Sequence, residues 1–482
     1  MLYRVLRWVA SVALRWFYRR IDVIGLERVP ASAPLLIAAN HPNQLLDPLL
    51  VGYVLRRPVT FTGKAILLDN PFVGVIMRRL PFVPLRRASD ERKRAAAAQG
   101  GNDSAPGETS PAAAPDPARN TDAFRQIIDV LAAGGAVLVF PEGISHNQPQ
   151  LAPIKTGIAR IALQARDERG VRDLHILPVG LTFERKEVPR TRVLVEIGEP
   201  LAVDRWTAAG TPAEALTRAV SDRLHAVTLN FPTREAADRV RCVAEVLTGV
   251  FADVRPLGEG DGSLAEHVEV TRRVESARQR LADLPAVDSA RVARFEQRLD
   301  EFTRELNERG VELRDLDIPL GWLPAARFLL REGAIAAAAG PLALWGRVNH
   351  WLPLRLARGL AARSSRSPED PAMHTVVIGL VSVLFFYALQ TTAVGMIAGP
   401  WWALAYLASL VPSADWDFRY RDRRRRAVRR MQTFVRLRRA PAVRARLGQD
   451  AAWLREEATA LERLTTERAP DHTAAHPAGA PV

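Results

Sequence analysis

Residues 375–414 contain no charged side chain, a run of 40 positions. One membrane-crossing helix needs about 20 apolar residues, so the run is long enough for two. Gly395, Gly399 and Pro400 near its middle supply the break. The pattern predicts a transmembrane hairpin at about 375–412 whose ends return to one side. Both flanks are basic, with Arg355, Arg358, Arg363 and Arg366 before the run and Arg419, Arg421 and Arg423 to Arg426 after it. The positive-inside rule therefore puts both flanks in the cytosol. A shorter apolar run at 333–346 is too short to cross unaided and is expected to be interfacial or re-entrant. The whole of 321–415 reads as membrane-associated.

The 482 residues leave room for more than one domain. The formal charge is +14, and only four of the 67 basic residues are lysines. Arginine excess beside abundant alanine fits a GC-rich genome as well as a function, and no aromatic-interleaved basic motif or zinc pattern appears, so nucleic acid is not an expected partner. Anionic lipid headgroups and anionic substrates suit this charge better. The single cysteine, Cys242, excludes an intramolecular disulfide and fits a reducing compartment. The nine histidines are scattered, so no metal site is expected.

The chemistry-bearing residues fall in the first 200 positions. An apolar strand-like run at 35–39 opens into NHPNQLLDP, residues 40–48, which puts His41 and Asp47 within one loop. An imidazole with one nitrogen held by a carboxylate keeps a fixed tautomer and can take a proton from a hydroxyl; a capped turn without chemistry uses the same residues. Six steps along a regular helix turn Asp47 about 240° away from His41, so a residue near Pro42 must leave the helix if the two are to meet. A second strand at 136–140 runs into Pro141, Glu142 and Gly143. This places a carboxylate at the strand end where open α/β sheets bind ligands, next to a glycine that permits a sharp turn. An ordinary strand-to-helix turn would look alike. Between them PFVPLRR, 81–87, ends in Arg86 and Arg87, suited to a phosphate or to solvent. A fourth strand, 174–181, carries Pro178, which gives shape rather than chemistry. Ser145 and His146 beside the second motif lack a glycine-flanked nucleophile elbow. Lys155 either adds charge to a phosphate pocket or starts a helix at the surface.

In order, NHPNQLLDP, VPLRR, FPEGISH and LPVGL resemble the four sequence blocks of the glycerolipid acyltransferase family, over roughly residues 25–200. The longer string FPEGISHNQPQLAPIKTGIARIAL is similar to the branch of fungal glycerol-3-phosphate and dihydroxyacetone-phosphate acyltransferases. So is the five-residue spacing between His41 and Asp47, where most of the family has four. The resemblance implies an α/β fold, a mixed sheet flanked by helices. It implies His41 as general base supported by Asp47, Arg87 as phosphate ligand with Arg86 as the other alignment, and Glu142 and Gly143 in acceptor binding. It implies an acyl thioester donor, acyl-CoA or acyl carrier protein, as co-substrate with no further cofactor. The expected activity is acyl transfer to glycerol 3-phosphate. Lysophosphatidate acylation, a silent membrane scaffold, and a thioesterase or lipase are the alternatives.

The domain plan that follows has an interfacial membrane helix at 1–24, anchored by Trp8, Trp16, Phe17 and Tyr18; a helix packed on the chain's own core is the other reading. An acyltransferase domain at 25–205 follows, with a disordered insertion at 88–121 that lacks large apolar residues. Residues 206–320 are helical, with stripes at Val270, Val274, Ala277 and Leu281 and at Val292, Phe295, Leu299, Phe302 and Leu306 that predict an antiparallel hairpin. A basic helical segment at 416–465 is expected to touch phospholipid, and 466–482 is expected to be a disordered tail. The expected location is a bacterial inner membrane with the site facing the cytoplasm.

Overall fold

The apolar runs become neighbours in one sheet. In the computed structural model, residues 2–65, 68, 74, 77–86, 120–186, 188–206, 211–251, 264–282, 289–311, 315–316, 321–364 and 371–467 are described. Strands β1 (Arg20–Ile24), β2 (Leu35–Ala39), β3 (Thr60–Lys64), β4 (Phe82–Leu85), β5 (Ala136–Val139), β6 (His175–Phe183), β7 (Arg192–Ile197) and β8 (Leu201–Ala202) form an eight-stranded mixed sheet. Its order is β1-β7-β6-β2-β5-β3-β4, with β8 against β6. β6 runs antiparallel to β7 and β8; β2, β5, β3 and β4 are parallel, so their C-terminal ends share one edge. The expected α/β architecture, a mixed sheet flanked by helices, is present.

Successive strand residues face opposite sides, and both sides of β2, β5 and β6 are covered, which is why these strands read as near-unbroken apolar runs. Leu36, Ala38, Val137 and Ile176 pack against α3 (Thr121–Ala132), α4 (Gly157–Asp167) and α5 (Pro212–Val227). Leu35, Ile37, Leu138 and Leu177 pack on the other side with Val51 and Val54 of α2 (Leu46–Val54).

The chain forms two compact units, residues 1–230 with 361–377, and residues 231–360 with 378–482. The sheet unit is therefore wider than the 25–205 read from sequence. It begins earlier because β1 starts at Arg20 and pairs with β7. It ends later because Leu216, Val220 and Leu224 of α5 belong to the sheet core. Helix α1 (Leu2–Phe17) corrects another expectation. Leu14, Phe17 and Tyr18 are buried against Leu46, Leu50 and Val193, so Phe17 and Tyr18 are core residues and not membrane anchors; Trp8 alone of the aromatic set stands well exposed. Of the insertion expected at 88–121, residues 88–119 lie outside the described residues, and Thr121 opens α3.

The second unit is helical: α6 (Arg234–Phe251), α7 (Leu264–Ala282), α8 (Ser289–Arg309), most of α9 (Trp322–Ser364) and α10 (Pro371–Ala398), α11 (Pro400–Arg439) and α12 (Pro441–Glu467). The stripe Phe295, Leu299, Phe302 and Leu306 is a structural core, and it closes on Leu447, Leu454 and Leu461 of α12. Helix α7 buries Leu264, Val268 and Thr271 and packs chiefly on α6, so the expected α7–α8 hairpin is not the main pairing. Cys242 falls in α6. Residues 468–482 of the expected tail lie outside the described residues.

Gly399, at φ 94°, separates α10 from α11 where the break was expected. Two described helices are long and apolar enough to cross a membrane, Trp322–Ala361 within α9 and Thr375–Ala398 within α10. The run at 333–346 is thus part of one continuous helix of 43 residues and not a short re-entrant piece. The charges that bound it are answered by α11. Glu332 receives Arg423 at 2.8 Å, and Arg347 lies 3.7 Å from Asp417.

Candidate active site

The site grows from the end of β2. Asn40 fixes that end: its amide Nδ2 donates to Leu181 O at 3.1 Å, and its Oδ1 accepts from Leu181 N at 2.7 Å, extending the β2–β6 pairing through a side chain. The chain then leaves regular structure for residues 41–45 before α2 starts at Leu46. Gln44 takes φ 42°, an uncommon conformation for a residue with a side chain. That irregular turn supplies the departure from helix that the His41–Asp47 spacing requires.

Asp47, in the first turn of α2, reaches back with Oδ2 to His41 Nδ1 at 2.8 Å. The same oxygen accepts the Asn43 backbone N–H at 2.7 Å. Asp47 is completely buried, and Oδ1 has no partner among the described residues. Burial pushes its carboxyl above the ordinary aspartate range, while His41, the Asn43 N–H and the charge of Lys186 pull the other way. Tyr18, whose hydroxyl accepts from Asn43 Nδ2 at 3.3 Å, has its phenol pushed up by the same burial. The Phe140 ring stacks on the His41 imidazole, with centroids 3.8 Å apart and planes 14° from parallel. With Nδ1–H given to Asp47 and one ring face covered, the imidazole is held in the tautomer whose free Nε2 can accept a proton.

Glu142 follows β5 on the neighbouring strand. Its Oε1 accepts the backbone N–H of His41 at 3.0 Å; its Oε2 accepts the Ala152 N–H at 2.8 Å and lies 2.5 Å from His146 Nε2. The resemblance implied a carboxylate free for the acceptor, but both oxygens are engaged and the side chain is 1% exposed. In this geometry Glu142 ties the two motifs together. Gln44 N adds a second tie, donating to Ser145 Oγ at 3.4 Å. Gly143, at φ +73°, makes the turn, and Lys155 Nζ lies where a β-carbon on Gly143 would be, 2.4 Å from that position.

Arg86 is exposed beyond β4, its backbone clamped by the Asn120 amide at 2.9 and 3.1 Å. Arg87 lies outside the described residues. β4 stands three strand positions from β2, about 14 Å across the sheet. Sequence reasoning missed Lys64, an exposed cation that ends β3 in register with Leu85, between β5 and β4. A lysine closing a strand was its only signal. Asn40, Asn43 and Phe140 carry no sequence signal as positioning groups, and His146 shows in the sequence only as a hydrolase partner. Among the described residues no group of three His, Cys, Asp or Glu side chains is arranged to hold a metal.

A parallel-stranded α/β core with a carboxylate-oriented imidazole at its C-terminal edge defines the class of this first unit. Residues 20–182 match the Acyltransferase family model, so this part of the chain is similar to acyltransferase domains. A glycerol-3-phosphate O-acyltransferase of Saccharomyces cerevisiae is 27% identical over 199 residues, which is 40% of this chain and 25% of that protein. A chloroplastic 1-acyl-sn-glycerol-3-phosphate acyltransferase of Brassica napus is 26% identical over 154 residues, 32% of this chain and 36% of that protein. The chain thus spans less than half the length of the curated relatives it matches. The crystal structure of a 1-acyl-sn-glycerophosphate acyltransferase from Thermotoga maritima aligns at 21% identity and a TM-score of 0.33, covering 46% of this chain and 78% of that one.

Proposed function

We propose that the chain transfers a fatty acyl group from a thioester, of coenzyme A or of an acyl carrier protein, to a hydroxyl of glycerol 3-phosphate, with His41 as general base. The observation that carries this reading is the His41–Asp47 contact at 2.8 Å, at the strand edge that also bears Glu142 and Gly143. His41 Nε2 removes the hydroxyl proton as the acceptor oxygen attacks the thioester carbonyl. The tetrahedral adduct then expels the thiolate, which takes the proton back from His41 and leaves as free thiol. An ester replaces the thioester, no covalent enzyme intermediate is needed, and the base is regenerated. Arg87, or Arg86, holds the acceptor phosphate with a two-pronged guanidinium. Gly143 makes the turn that lets Lys155 lie against the backbone, and the two belong to acceptor binding, the lysine adding charge for the phosphate.

The apolar helices support a membrane location for the protein. The basic flanks fit a cytoplasmic-facing site at a bacterial inner membrane, where acyl thioesters are available. The test is to mix purified full-length protein, acyl-CoA or acyl carrier protein, and glycerol 3-phosphate, following free thiol and identifying the product by mass spectrometry. Thiol release that requires glycerol 3-phosphate and yields lysophosphatidate supports the reading. No release with glycerol 3-phosphate, dihydroxyacetone phosphate or lysophosphatidate overturns it, and release without any acceptor makes the protein a thioesterase. The likeness to the Brassica napus relative keeps lysophosphatidate as the competing acceptor; acceptor competition in the same assay decides between the two.

A further inference from the structure

In the helical unit, where α9 and α11 run side by side, side chains enclose a cavity of about 320 Å³, within the size range of ligand clefts. Five guanidiniums line it, from Arg347, Arg358, Arg421, Arg424 and Arg425, against the one carboxylate of Asp417. That carboxylate answers two of them: Arg421 Nη2 is 2.9 Å from Oδ2, and Arg347 Nε is 3.7 Å from Oδ1. Arg358, Arg424 and Arg425 are exposed at the rim, and no ion pair within 4 Å ties them to a carboxylate among the described residues, although the Arg424 charge is felt by Asp417; Arg358 Nε bonds to Leu354 O of its own helix at 3.2 Å. Arg421 stacks over the Phe418 ring at 4.8 Å, and its Nε is buried without an acceptor. His350 closes one wall. Both ring nitrogens are taken by protein groups, Nδ1 by Gly346 O at 2.7 Å and Nε2 by the Tyr387 hydroxyl at 2.6 Å, so the ring is wall and not ligand.

Like charges gathered around a concave surface repel unless an anion occupies it. Planar guanidiniums with spare N–H groups fit phosphate oxygens. The surroundings indicate where such a phosphate comes from. Helix α11 is uncharged from 400 to 414 and arginine-rich from 419 onward, so the cavity lies at its change of polarity. At the same level of α9, Val348, Leu352 and Leu356 are exposed on the faces turned away from the cavity, Trp351 lines it, and Trp416 of α11 is exposed. Aromatic rings at such a boundary are typical of a membrane interface, and exposed apolar side chains give acyl tails a surface that a soluble phosphate has no use for. We propose that this cavity binds the phosphate headgroup of an anionic membrane lipid, which completes the α9–α11 contact. The inference rests on the membrane location proposed above and is independent of the acyl-transfer chemistry.

Native mass spectrometry of the full-length protein, released from non-ionic detergent and titrated with phosphatidylglycerol or phosphatidylcholine, tests it. The expected result is one tightly held phosphatidylglycerol per chain, with affinity falling at least tenfold in R358Q/R424Q/R425Q. An equal charge loss outside the cavity, R426Q/R430Q/R438Q, is expected to change it less than twofold. R358K/R424K/R425K, which keeps the charge, is expected to bind between wild type and the glutamine variant and so separates recognition from folding. Equal losses in both glutamine variants would reduce the effect to general surface charge and overturn the site. Equal binding of phosphatidylcholine would also overturn it. Displacement of the lipid by micromolar pyrophosphate or coenzyme A would assign the cavity to a soluble phosphate compound instead. Thiol release measured on the same samples reports on the catalytic reading separately, so failure of one leaves the other standing.

Discussion

His41 donates its backbone N–H to Glu142 Oε1 at 3.0 Å, a bond that leaves the imidazole untouched but sets where the imidazole stands. Asp47 orients the ring from one side and Glu142 locates the backbone from another, so two carboxylates more than ninety residues apart in sequence act on one residue. The second oxygen of Glu142 holds Ala152 N and His146, which locks the loop after β5 to the loop after β2.

A positioning role for Glu142 separates from acceptor binding by which kinetic constant moves. Glu142→Gln keeps one acceptor oxygen for the His41 N–H but turns an amide toward the Ala152 N–H. It is expected to lower kcat by about tenfold to a hundredfold, the scale of a misplaced catalytic group, while KM for the acceptor changes little. Glu142→Ala leaves buried donors unpaired and is expected to cost about 2–4 kcal/mol of stability by thermal melting. A rise in acceptor KM with kcat unchanged would show that Glu142 binds the acceptor instead.

His41→Ala removes the proposed base and is expected to lower kcat by about 10²–10⁴, the usual worth of general-base catalysis. D47N loses the charge that steadies the imidazole and is expected to fall in the same range. Because the two residues act as a unit, the H41A/D47N double variant should be no worse than H41A alone. Additive losses in the thiol-release assay would mean that Asp47 works through something other than His41.

Much of this site was legible in seven residues. His41 and Asp47 share one loop, and the spacing itself demanded a break from helix, which Gln44 at φ 42° supplies. Glu142 was visible as a residue but not as a strut, because its partners His41 and Ala152 offer backbone N–H groups that no side-chain pattern records. Strands β2, β5 and β6 could be read because apolar runs covered on both faces need no alternation, whereas β3, Thr60–Lys64, carries no such run. The length of α9 could not be read, since Glu332 and Arg347 look like ends of an apolar run until Arg423 and Asp417 of α11 are seen to answer them. Phe17 and Tyr18 misled for a related reason: an amphipathic helix looks the same whether its apolar face meets lipid or Leu46 and Leu50.

The buried Asp47 carboxyl makes a pH prediction with a definite sign. Its folded pKa is raised, chiefly by burial, so the fold prefers the protonated form. That preference is fully present below the unfolded value, about 3.9, and is lost as pH rises through the raised folded value. D47N is neutral at every pH and keeps what the ionised aspartate loses. Its melting temperature is expected to exceed that of wild type at pH 8 and to converge with it toward pH 4, in contrast to its expected loss of activity. A wild type that melts higher at pH 8 would show that the hydrogen bonds from His41 and Asn43, with the Lys186 charge, outweigh desolvation.

Gly143 and Gly180 stand in two of the recognised motifs and should respond differently to the same change. A β-carbon on Gly143 would lie 2.4 Å from Lys155 Nζ, the far end of a flexible side chain that can swing away. What remains is the left-handed backbone at φ +73°, so Gly143→Ala is expected to cost about 1–2 kcal/mol and to move Lys155. A β-carbon on Gly180, inside β6, would lie 1.9 Å from the backbone oxygen of Val227 at the end of α5. Neither main chain can yield without separating α5 from the sheet, where Leu216, Val220 and Leu224 are buried. Gly180→Ala is therefore expected to cost more than Gly143→Ala, about 3 kcal/mol or above, in line with forced overpacking of a core. Hydrogen exchange should show the loss concentrated in α5 and β6. Equal melting temperatures for the two variants would mean that α5 is not held against β6 as closely as its glycine requires.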